Sequence, residues 1–245
     1  AVDAGAVRDR IASHFRDVPR RAVEPVYVPA EPAQLGKRES HREFPTELTR
    51  LQLCWKTPDI THPDVPALDL LGVILGGGRS SRLYQGLREK KPLAHSISAF
   101  CYTPRDPGIF AVEAVCDPGN REELTAAILG EVAAIQKGGV TDAELARAKK
   151  QFISAQLRQL TTTRGIASDL GSNFILTGNL DFSREYLGAL ERATPDDLRN
   201  AARAYLHDSA LTVVSLNPPA GAESPAGGRA ENVAGPVQKF TLANG

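Results

Sequence analysis

Residues 71–100 read LGVILGGGRSSRLYQGLREKKPLAHSISAF. In this stretch an apolar helix predicted over residues 61–75 ends at three consecutive glycines, Gly76, Gly77 and Gly78. A second helix, capped by a serine, is predicted over residues 80–90, and a strand over residues 95–102. Three glycines in a row cost conformational entropy, so the loop must need unusual backbone dihedrals or a close approach. Either they make a tight helix–helix turn, or they form a flexible loop whose backbone amides face a cavity.

The sequence on both sides of this stretch is divided between strands and helices. Strand-like runs are predicted at residues 37–44, 50–56, 95–102, 109–116 and 210–216. Helical runs are predicted at residues 5–17, 61–75, 80–90, 120–136, 165–177 and 182–191, and after the cap residues Thr141 and Thr194. Strands come in neighbouring pairs, and most helices follow as a block. This order predicts an α+β fold, a two-layer α/β sandwich with a mixed, largely antiparallel sheet and helices packed on one face.

The composition excludes several classes of protein. The chain has 245 residues, with 29 Lys and Arg against 29 Asp and Glu, so its formal net charge is zero. This balance argues against a generally basic nucleic-acid-binding protein. No apolar run approaches the roughly 18–20 residues that a membrane span needs. The chain also contains no Met, and nothing in the sequence explains that absence. We therefore expect a globular protein with no nucleic-acid partner and no membrane span.

Sequence motifs for catalysis or metal binding are missing. The zinc motifs H-E-x-x-H and H-x-x-E-H are both absent, and no two of the five His are close enough in the chain to form a local zinc-binding pair. There is no G-x-S-x-G elbow and no P-loop. Cys54, Cys101 and Cys116 lack metal-binding spacing, and we interpret them as small buried apolar residues. The sequence predicts no catalytic residue and no metal ligand in this chain.

A basic cluster, Arg88, Lys90 and Lys91, closes the second helix of the opening stretch. These charges can complement the helix dipole on a solvated face. Alternatively, Arg88 can donate hydrogen bonds to a carbonyl or carboxylate of a ligand. On these residues alone the first interpretation is favoured.

Several motifs resemble those of the pitrilysin/insulinase-type zinc peptidases, the family with the inverted H-x-x-E-H motif, and specifically their second, non-catalytic domain. The matching segments are Leu75–Gly78, Ser80–Tyr84, Leu87–Lys90 with Leu93 and Ala94, Gly139–Lys149 (GVTDAELARAK) and Thr194–Asp197. The resemblance extends from residue 1 to about residue 217.

The resemblance implies a clamshell of two homologous halves around a closed chamber. One half holds zinc through two His and a Glu, with another Glu activating water. The other half, to which this chain is similar, lines the chamber and helps to hold the peptide. The expected partners are therefore a homologous zinc-binding domain, in the same polypeptide or as a separate subunit, and a peptide substrate. Zinc is expected in that partner and not in this chain.

The resemblance also implies substrate-binding residues. In some branches an Arg and a Tyr of the non-catalytic half reach toward the substrate. The Arg corresponds to Arg88, but the Tyr position, seven residues later, is His95. A histidine can donate a hydrogen bond, yet its geometry and pKa differ from those of a phenol. Residues Gly76–Gly78 match a glycine-rich loop implicated in substrate handling in mitochondrial processing relatives, and Tyr84 lies in the adjoining motif.

The domain organisation follows from the same comparison. Residues 1–17 look like the closing helix of a preceding domain, and residues 18–36, with four prolines, like an extended linker. Residues 37–217 correspond to the non-catalytic domain. Residues 218–236 form a predicted flexible linker, and residues 237–245 (VQKFTLANG) the truncated start of a following domain. Together with the missing initiator Met, these ends predict a segment of a longer polypeptide.

The resemblance thus implies the non-catalytic half of a zinc endopeptidase, inactive by itself, which completes a peptide-binding chamber and helps to position the substrate. The alternative is a structural or interaction module of a peptidase-like complex without proteolytic activity. An independent enzyme built on Arg88, His95 and a nearby carboxylate has no supporting spacing. The sequence itself does not indicate the compartment; because tandem bacterial members are often exported, the resemblance suggests a periplasmic or exported protein.

Overall fold

The computed structural model describes residues 3–19, 21–22, 24, 29 and 31–219. The chain divides into two units, residues 1–33 and residues 34–245. In the first, helix α1 (Ala4–His14) begins after Asp3, whose carboxylate accepts hydrogen bonds from the N–H groups of Gly5 and Ala6 at 2.8 and 3.3 Å. The linker predicted at 18–36 is described only in part. The linker and following domain predicted at 218–236 and 237–245 lie outside the described residues from residue 220 onward.

The second unit is built on a sheet whose described strands lie in the order β1-β5-β2-β4-β3. The strands are β1 (Arg38–Glu43), β2 (Thr49–Thr57), β3 (Ser96–Tyr102), β4 (Gly108–Cys116) and β5 (Leu211–Asn217). β1 runs parallel to β5, and the other neighbouring pairs are antiparallel. The predicted mixed, largely antiparallel sheet is therefore confirmed.

The helices of this unit also lie close to their predicted positions. They are α2 (Val65–Gly76), α3 (Arg82–Tyr84), α4 (Arg121–Gly138), α5 (Asp142–Gln159), α6 (Thr163–Thr177), α7 (Phe182–Arg192) and α8 (Pro195–Tyr205). The hydroxyl of Thr141 accepts from the N–H of Glu144, and the Glu144 carboxylate accepts from the N–H of Thr141, so the predicted cap residue Thr141 forms a capping box at the start of α5. No helix in the described part of the chain is long and apolar enough to cross a membrane.

The core lies between one face of the sheet and the helices. Along β2, alternate side chains are buried, among them Leu51, Leu53 and Trp55, and the Trp55 ring meets Phe110 of β4 edge to face at 6.2 Å. Helix α2 packs on β3, and α4 and α8 contact β2. The intervening side chains of β2 lie on the other face and are less buried. This arrangement confirms the predicted two-layer α+β fold.

The three cysteines have the surroundings expected of small apolar residues. All are free; Cys116 is buried, and Cys54 and Cys101 are half-buried. Burial raises the pKa of the thiol to about 11 for Cys54 and Cys116 and to about 12 for Cys101. Because a thiol with such a pKa stays protonated at neutral pH, none of the three is an activated nucleophile.

Candidate substrate-binding site

The helix that follows the glycines has an unusual form. Only Arg82–Tyr84 is α-helical, and residues 85–90 form a π-helix. Its last hydrogen bond runs from the N–H of Lys91 to the carbonyl of Gly86, five residues earlier, at 3.0 Å. The regular helix predicted here is therefore a single α-helical turn continued by a wider one. Such turns are frequent at functional sites, and this one carries Arg88.

Arg88 and Tyr84, both predicted to bind substrate, lie together. The guanidinium carbon of Arg88 is 4.9 Å from the centre of the Tyr84 ring, within the range of a cation–π interaction. Tyr84 is half-buried, whereas Arg88 is exposed. Within the described part of the chain the Arg88 side chain has no ion-pair partner. The ring supports the guanidinium from one side and leaves its N–H groups available to a ligand.

His95 immediately precedes β3, beside the same π-helix. The N–H of Ala94 donates to the carbonyl of Leu87 at 3.1 Å, so the residues preceding His95 and Arg88 are bonded to each other. The exposed His95 ring places Nε2 3.0 Å from Oδ1 of Asp117. A carboxylate at that nitrogen orients the ring and directs Nδ1 away from Asp117. His95 is thus held by Asp117, with no direct contact to Arg88 among the described interactions.

Each of the three glycines between α2 and α3 has a structural role of its own. A Cβ at Gly76 would lie 1.8 Å from the backbone nitrogen of Ala99, so this glycine allows α2 to pack directly on β3. Gly77 ends α2, its N–H donating to the carbonyl of Val73 at 2.8 Å. Gly78 is exposed and has a φ of 87°, the left-handed region that favours glycine. Gly76 and Gly77 therefore serve the packing and the end of α2, and a Cβ added at Gly78 would meet nothing within 4 Å. A role of the loop in substrate binding stays a prediction.

Sequence reasoning missed an ion pair that joins two of the quoted motifs. Arg82, in the Ser80–Tyr84 segment, donates from Nε and Nη2 to the two carboxylate oxygens of Glu144 at 2.7 and 2.8 Å. Arg82 also donates to the carbonyl of Gly139 at 3.3 Å. The Arg82 guanidinium and the hydrogen bonds from Thr141 lower the pKa of Glu144 to about 2. The pair connects α3 to the start of α5 and so supports the base of the π-helix.

Replacing Glu144 with Gln should lower the free energy of unfolding by about 1–3 kcal/mol, because Arg82 keeps its partly buried charge without an anionic partner. Gln is accepted at this position of a capping box, so the helix cap is retained. The pKa of Glu144 is depressed in the folded state. Its stabilisation is therefore complete above about pH 4.5 and is lost as the pH falls toward about 2. Urea unfolding across that pH range should show a weaker pH dependence in Glu144→Gln than in the unsubstituted chain.

Asp142→Asn is the matched control, since it removes an exposed carboxylate from the same first turn of α5 without touching Arg82. Equal effects of the two substitutions would contradict a specific role of the Arg82–Glu144 pair.

The face of the sheet opposite the helix-packed core carries a groove of about 390 Å³. Cross-strand register places Gln52, Glu113 and Ser98 in one row across β2, β4 and β3, and the Gln52 amide donates to the Glu113 carboxylate at 2.8 Å. Arg50, Ser96, Val115, Val214 and Leu216 line the rest of the groove on this face, and the core residues Leu51, Ile97 and Ala114 border it from within the sheet. The groove thus combines polar and apolar side chains on one face of the sheet. Alternation along β2 was the sequence signal for this face, but the partner strands were not predictable from it.

The described residues do not fit a zinc ion. No group of three His, Cys, Asp or Glu side chains within the described ranges is placed to hold a metal. The candidate site offers hydrogen-bond donors, an aromatic ring and a sheet face, and its role in binding substrate stays a prediction.

Residues 1–152 match the family described as Peptidase M16 inactive domain. The chain belongs to this family. The match agrees with the resemblance to the non-catalytic domain of pitrilysin/insulinase-type peptidases that the sequence motifs indicated. As an M16 inactive domain, the chain is of the kind found in zinc proteases, several of which are its relatives.

An uncharacterized zinc protease of Streptomyces coelicolor is 32% identical over 140 residues, covering 57% of this chain and 30% of that protein. The zinc protease PqqE of Helicobacter pylori is 29% identical over 227 residues, covering 89% of this chain and 50% of that protein. A solved protease from Helicobacter pylori superposes with a TM-score of 0.79 at 26% identity, covering 89% of this M16 domain and 53% of that chain. A solved M16 inactive domain from Pseudomonas fluorescens superposes with a TM-score of 0.77 at 23% identity, covering 89% of this chain and 51% of that chain. The chain thus spans half or less of these two curated relatives.

Proposed function

We propose that this M16 domain is the non-catalytic half of a zinc endopeptidase, where it completes a peptide-binding chamber and helps to position the peptide. Its partner is a homologous zinc-binding half, in the same polypeptide or as a separate subunit. Zinc belongs to that partner. The names of the relatives support a protease, and the fraction of their length that this chain spans leaves room for a second half of similar size.

The observation that carries the proposal is the open face of the sheet. In the part of the chain that the structure describes, α2, α4 and α8 pack on one face of the sheet, and the other face presents the groove lined by β2, β3, β4 and β5. A peptide lying there would contact side chains of alternating polarity and would be enclosed once a second half covered the face. Enclosure by two such faces selects unfolded peptides by size, since a folded protein cannot enter.

In this proposal Arg88 binds the peptide, and the Tyr84 ring supports the Arg88 guanidinium. The guanidinium donates charge-assisted hydrogen bonds to a peptide carbonyl or carboxylate, which are stronger than neutral ones. His95, oriented by Asp117, supplies a further donor or acceptor where relatives with a tyrosine offer a phenol. Neither residue breaks a bond; both hold the substrate.

The second candidate function is a structural module without proteolytic activity. It is supported by the similarity in fold to a chain of complex III2 from Candida albicans, with a TM-score of 0.74 at 19% identity. The remainder of the reading frame and the neighbouring genes discriminate the two, because an H-x-x-E-H helix there favours the peptidase and its absence favours the module.

The proposal is tested by preparing this chain alone, the zinc-binding half alone, and the two together. We expect the isolated chain to bind no stoichiometric zinc and to cleave no peptide. Adding it to the zinc-binding half should raise cleavage of an unstructured fluorogenic peptide by at least about tenfold, because substrate positioning depends on both walls. One tight zinc per isolated chain, measured by metal analysis, or equal cleavage with and without this chain would contradict the proposal.

A further inference from the structure

A second cavity, of about 210 Å³, lies among α2, α5, α6 and α7, away from the groove on the sheet. Its lining combines the aromatic rings of Phe152, Phe182 and Tyr186 with the carboxylates of Asp69 and Asp169. No Lys or Arg is among its lining residues. The cavity is therefore aromatic and negatively charged at once, and the proposed peptide chamber makes no use of it.

The three rings lie close together around the cavity. The ring centres of Phe152 and Tyr186 are 6.1 Å apart at 44°, and those of Phe182 and Tyr186 are 5.7 Å apart at 32°. All three side chains are half-buried, so part of each ring is open to a small molecule. Ring faces carry partial negative charge and attract cations within about 6 Å of the ring centre.

Asp69 is an exception in its helix. It is the one charged residue of α2, whose other residues are apolar or glycine. The hydroxyl of Tyr186 donates to its Oδ2, and no cation in the described part of the chain pairs with this carboxylate. Burial raises the pKa of Asp69 to about 6, against the opposing effect of the Tyr186 hydrogen bond, so the carboxylate still carries its charge above neutral pH. A partly buried anion with only a neutral partner lies beside the aromatic rings.

Asp169 faces the same cavity and is also surrounded by neutral donors. Its Oδ1 accepts from the Ser183 hydroxyl at 2.6 Å and from the Gln156 amide at 3.2 Å, and its Oδ2 accepts from the Asn173 amide at 3.1 Å. These bonds fix the carboxylate in place without cancelling its charge. A ligand that enters therefore meets two oriented carboxylates and no competing cation.

We propose that this cavity binds a small organic cation that carries a primary ammonium group. The ammonium would donate to the Asp69 carboxylate, with the rings of Phe152, Phe182 and Tyr186 around its alkyl part. Aromatic rings combined with carboxylates favour an organic cation over a metal ion, which prefers a shell of oxygen ligands. The cavity of about 210 Å³ is large enough for a chain of about four carbons. The lysine side chain of a peptide and a free alkylamine both have this chemistry.

The test is calorimetric titration of the 245-residue chain at pH 7.5 and fixed ionic strength. The probes are n-butylammonium, its neutral isostere n-butanol, tetramethylammonium, and lysine amide acetylated at Nα, which keeps its side-chain ammonium. We expect saturable binding of n-butylammonium, at least about tenfold tighter than n-butanol and tighter than tetramethylammonium, which has no N–H donor. Binding of the acetylated lysine amide as well would identify a lysine side chain as a possible source, and its failure would leave a free alkylamine.

Two substitutions locate the binding. Asp69→Asn should weaken n-butylammonium binding by at least about tenfold, since the amide keeps the shape and loses the charge. Asp64→Asn is the matched control, because Asp64 accepts from the Tyr205 hydroxyl at 2.8 Å in a similar pair but lies outside this cavity; it should change nothing. Phe152→Leu, which removes one ring, should weaken binding without altering either carboxylate and serves if Asp69→Asn fails to fold. Absence of saturable binding, equal affinity for n-butanol, or unchanged affinity in Asp69→Asn or Phe152→Leu would overturn the proposal.

Discussion

Replacing Arg88 with Ala in the chain paired with its zinc-binding half is expected to lower kcat/KM for peptide cleavage by roughly 30- to 800-fold. This corresponds to about 2–4 kcal/mol, the range for losing a charge-assisted hydrogen bond that strengthens in the transition state. The guanidinium is exposed, lies 4.9 Å from the Tyr84 ring and has no ion-pair partner in the described part of the chain. Steady-state cleavage of an unstructured peptide measures the effect, and a loss concentrated in kcat would place the bond in the transition state.

Lys90→Ala is the matched control for this experiment. Lys90 is two residues away in the same π-helix, is exposed, and contributes the same charge to the end of the helix. We expect kcat/KM to stay nearly unchanged in Lys90→Ala, and the urea unfolding curves of both variants to match the unsubstituted chain. If Arg88→Ala also leaves kcat/KM unchanged, Arg88 only complements the helix dipole, which is the interpretation that the sequence alone favours.

Replacing Gly76 with Ala is expected to lower the free energy of unfolding by about 3 kcal/mol or more. The added Cβ would lie 1.8 Å from the nitrogen of Ala99 and 2.5 Å from the carbonyl carbon of Ser98. Both atoms belong to the backbone of β3, which cannot move aside like the end of a side chain. Helix α2 would have to shift off the sheet and disturb the core at a contact where overpacking is costly. Urea unfolding of the purified chain measures the change.

Two other glycines give this prediction its controls. A Cβ at Gly130, inside α4, would meet nothing within 4 Å, so Gly130→Ala should stabilise the chain by about 0.5–1 kcal/mol. Gly78→Ala should destabilise it by about 1–2 kcal/mol, because the φ of 87° disfavours any residue with a Cβ. If Gly76→Ala were as stable as the unsubstituted chain, α2 could not lie as close to β3 as described here.

The regular elements of this protein were predictable because their signals are local. Alternation along β2, the helix caps at Thr141 and Thr194, and the glycines after α2 each act over a few residues. The π-helix at residues 85–90 was missed, since an α-helix and a π-helix differ only in which carbonyl each N–H meets. Here the chain folds back on the helix after it ends, and the N–H groups of Leu93 and Ala94 both donate to the Leu87 carbonyl. The wider π-helical turn leaves that carbonyl available to them.

The candidate site was predictable in part. The motif resemblance pointed to Arg88 and Tyr84, and the structure brings these two side chains together. It also pointed to His95, but nothing in the sequence indicated Asp117 as the partner of that ring. The Arg82–Glu144 ion pair was missed altogether, because its members are 62 residues apart and neither stands out in its own segment.

The sequence by itself determined the α+β class, the element order, the helix caps and membership of the M16 inactive-domain family, since each depends on residues close together in the chain. Only the tertiary structure decided which distant side chains meet. Gln52 and Glu113 are 61 positions apart and Asp69 and Tyr186 are 117 apart. Their contacts depend on strand register and on how helices cross, and the free energy that sets both comes from packing the whole core. The groove depends on the strand register and the aromatic cavity on how the helices cross, so only the tertiary structure could reveal them.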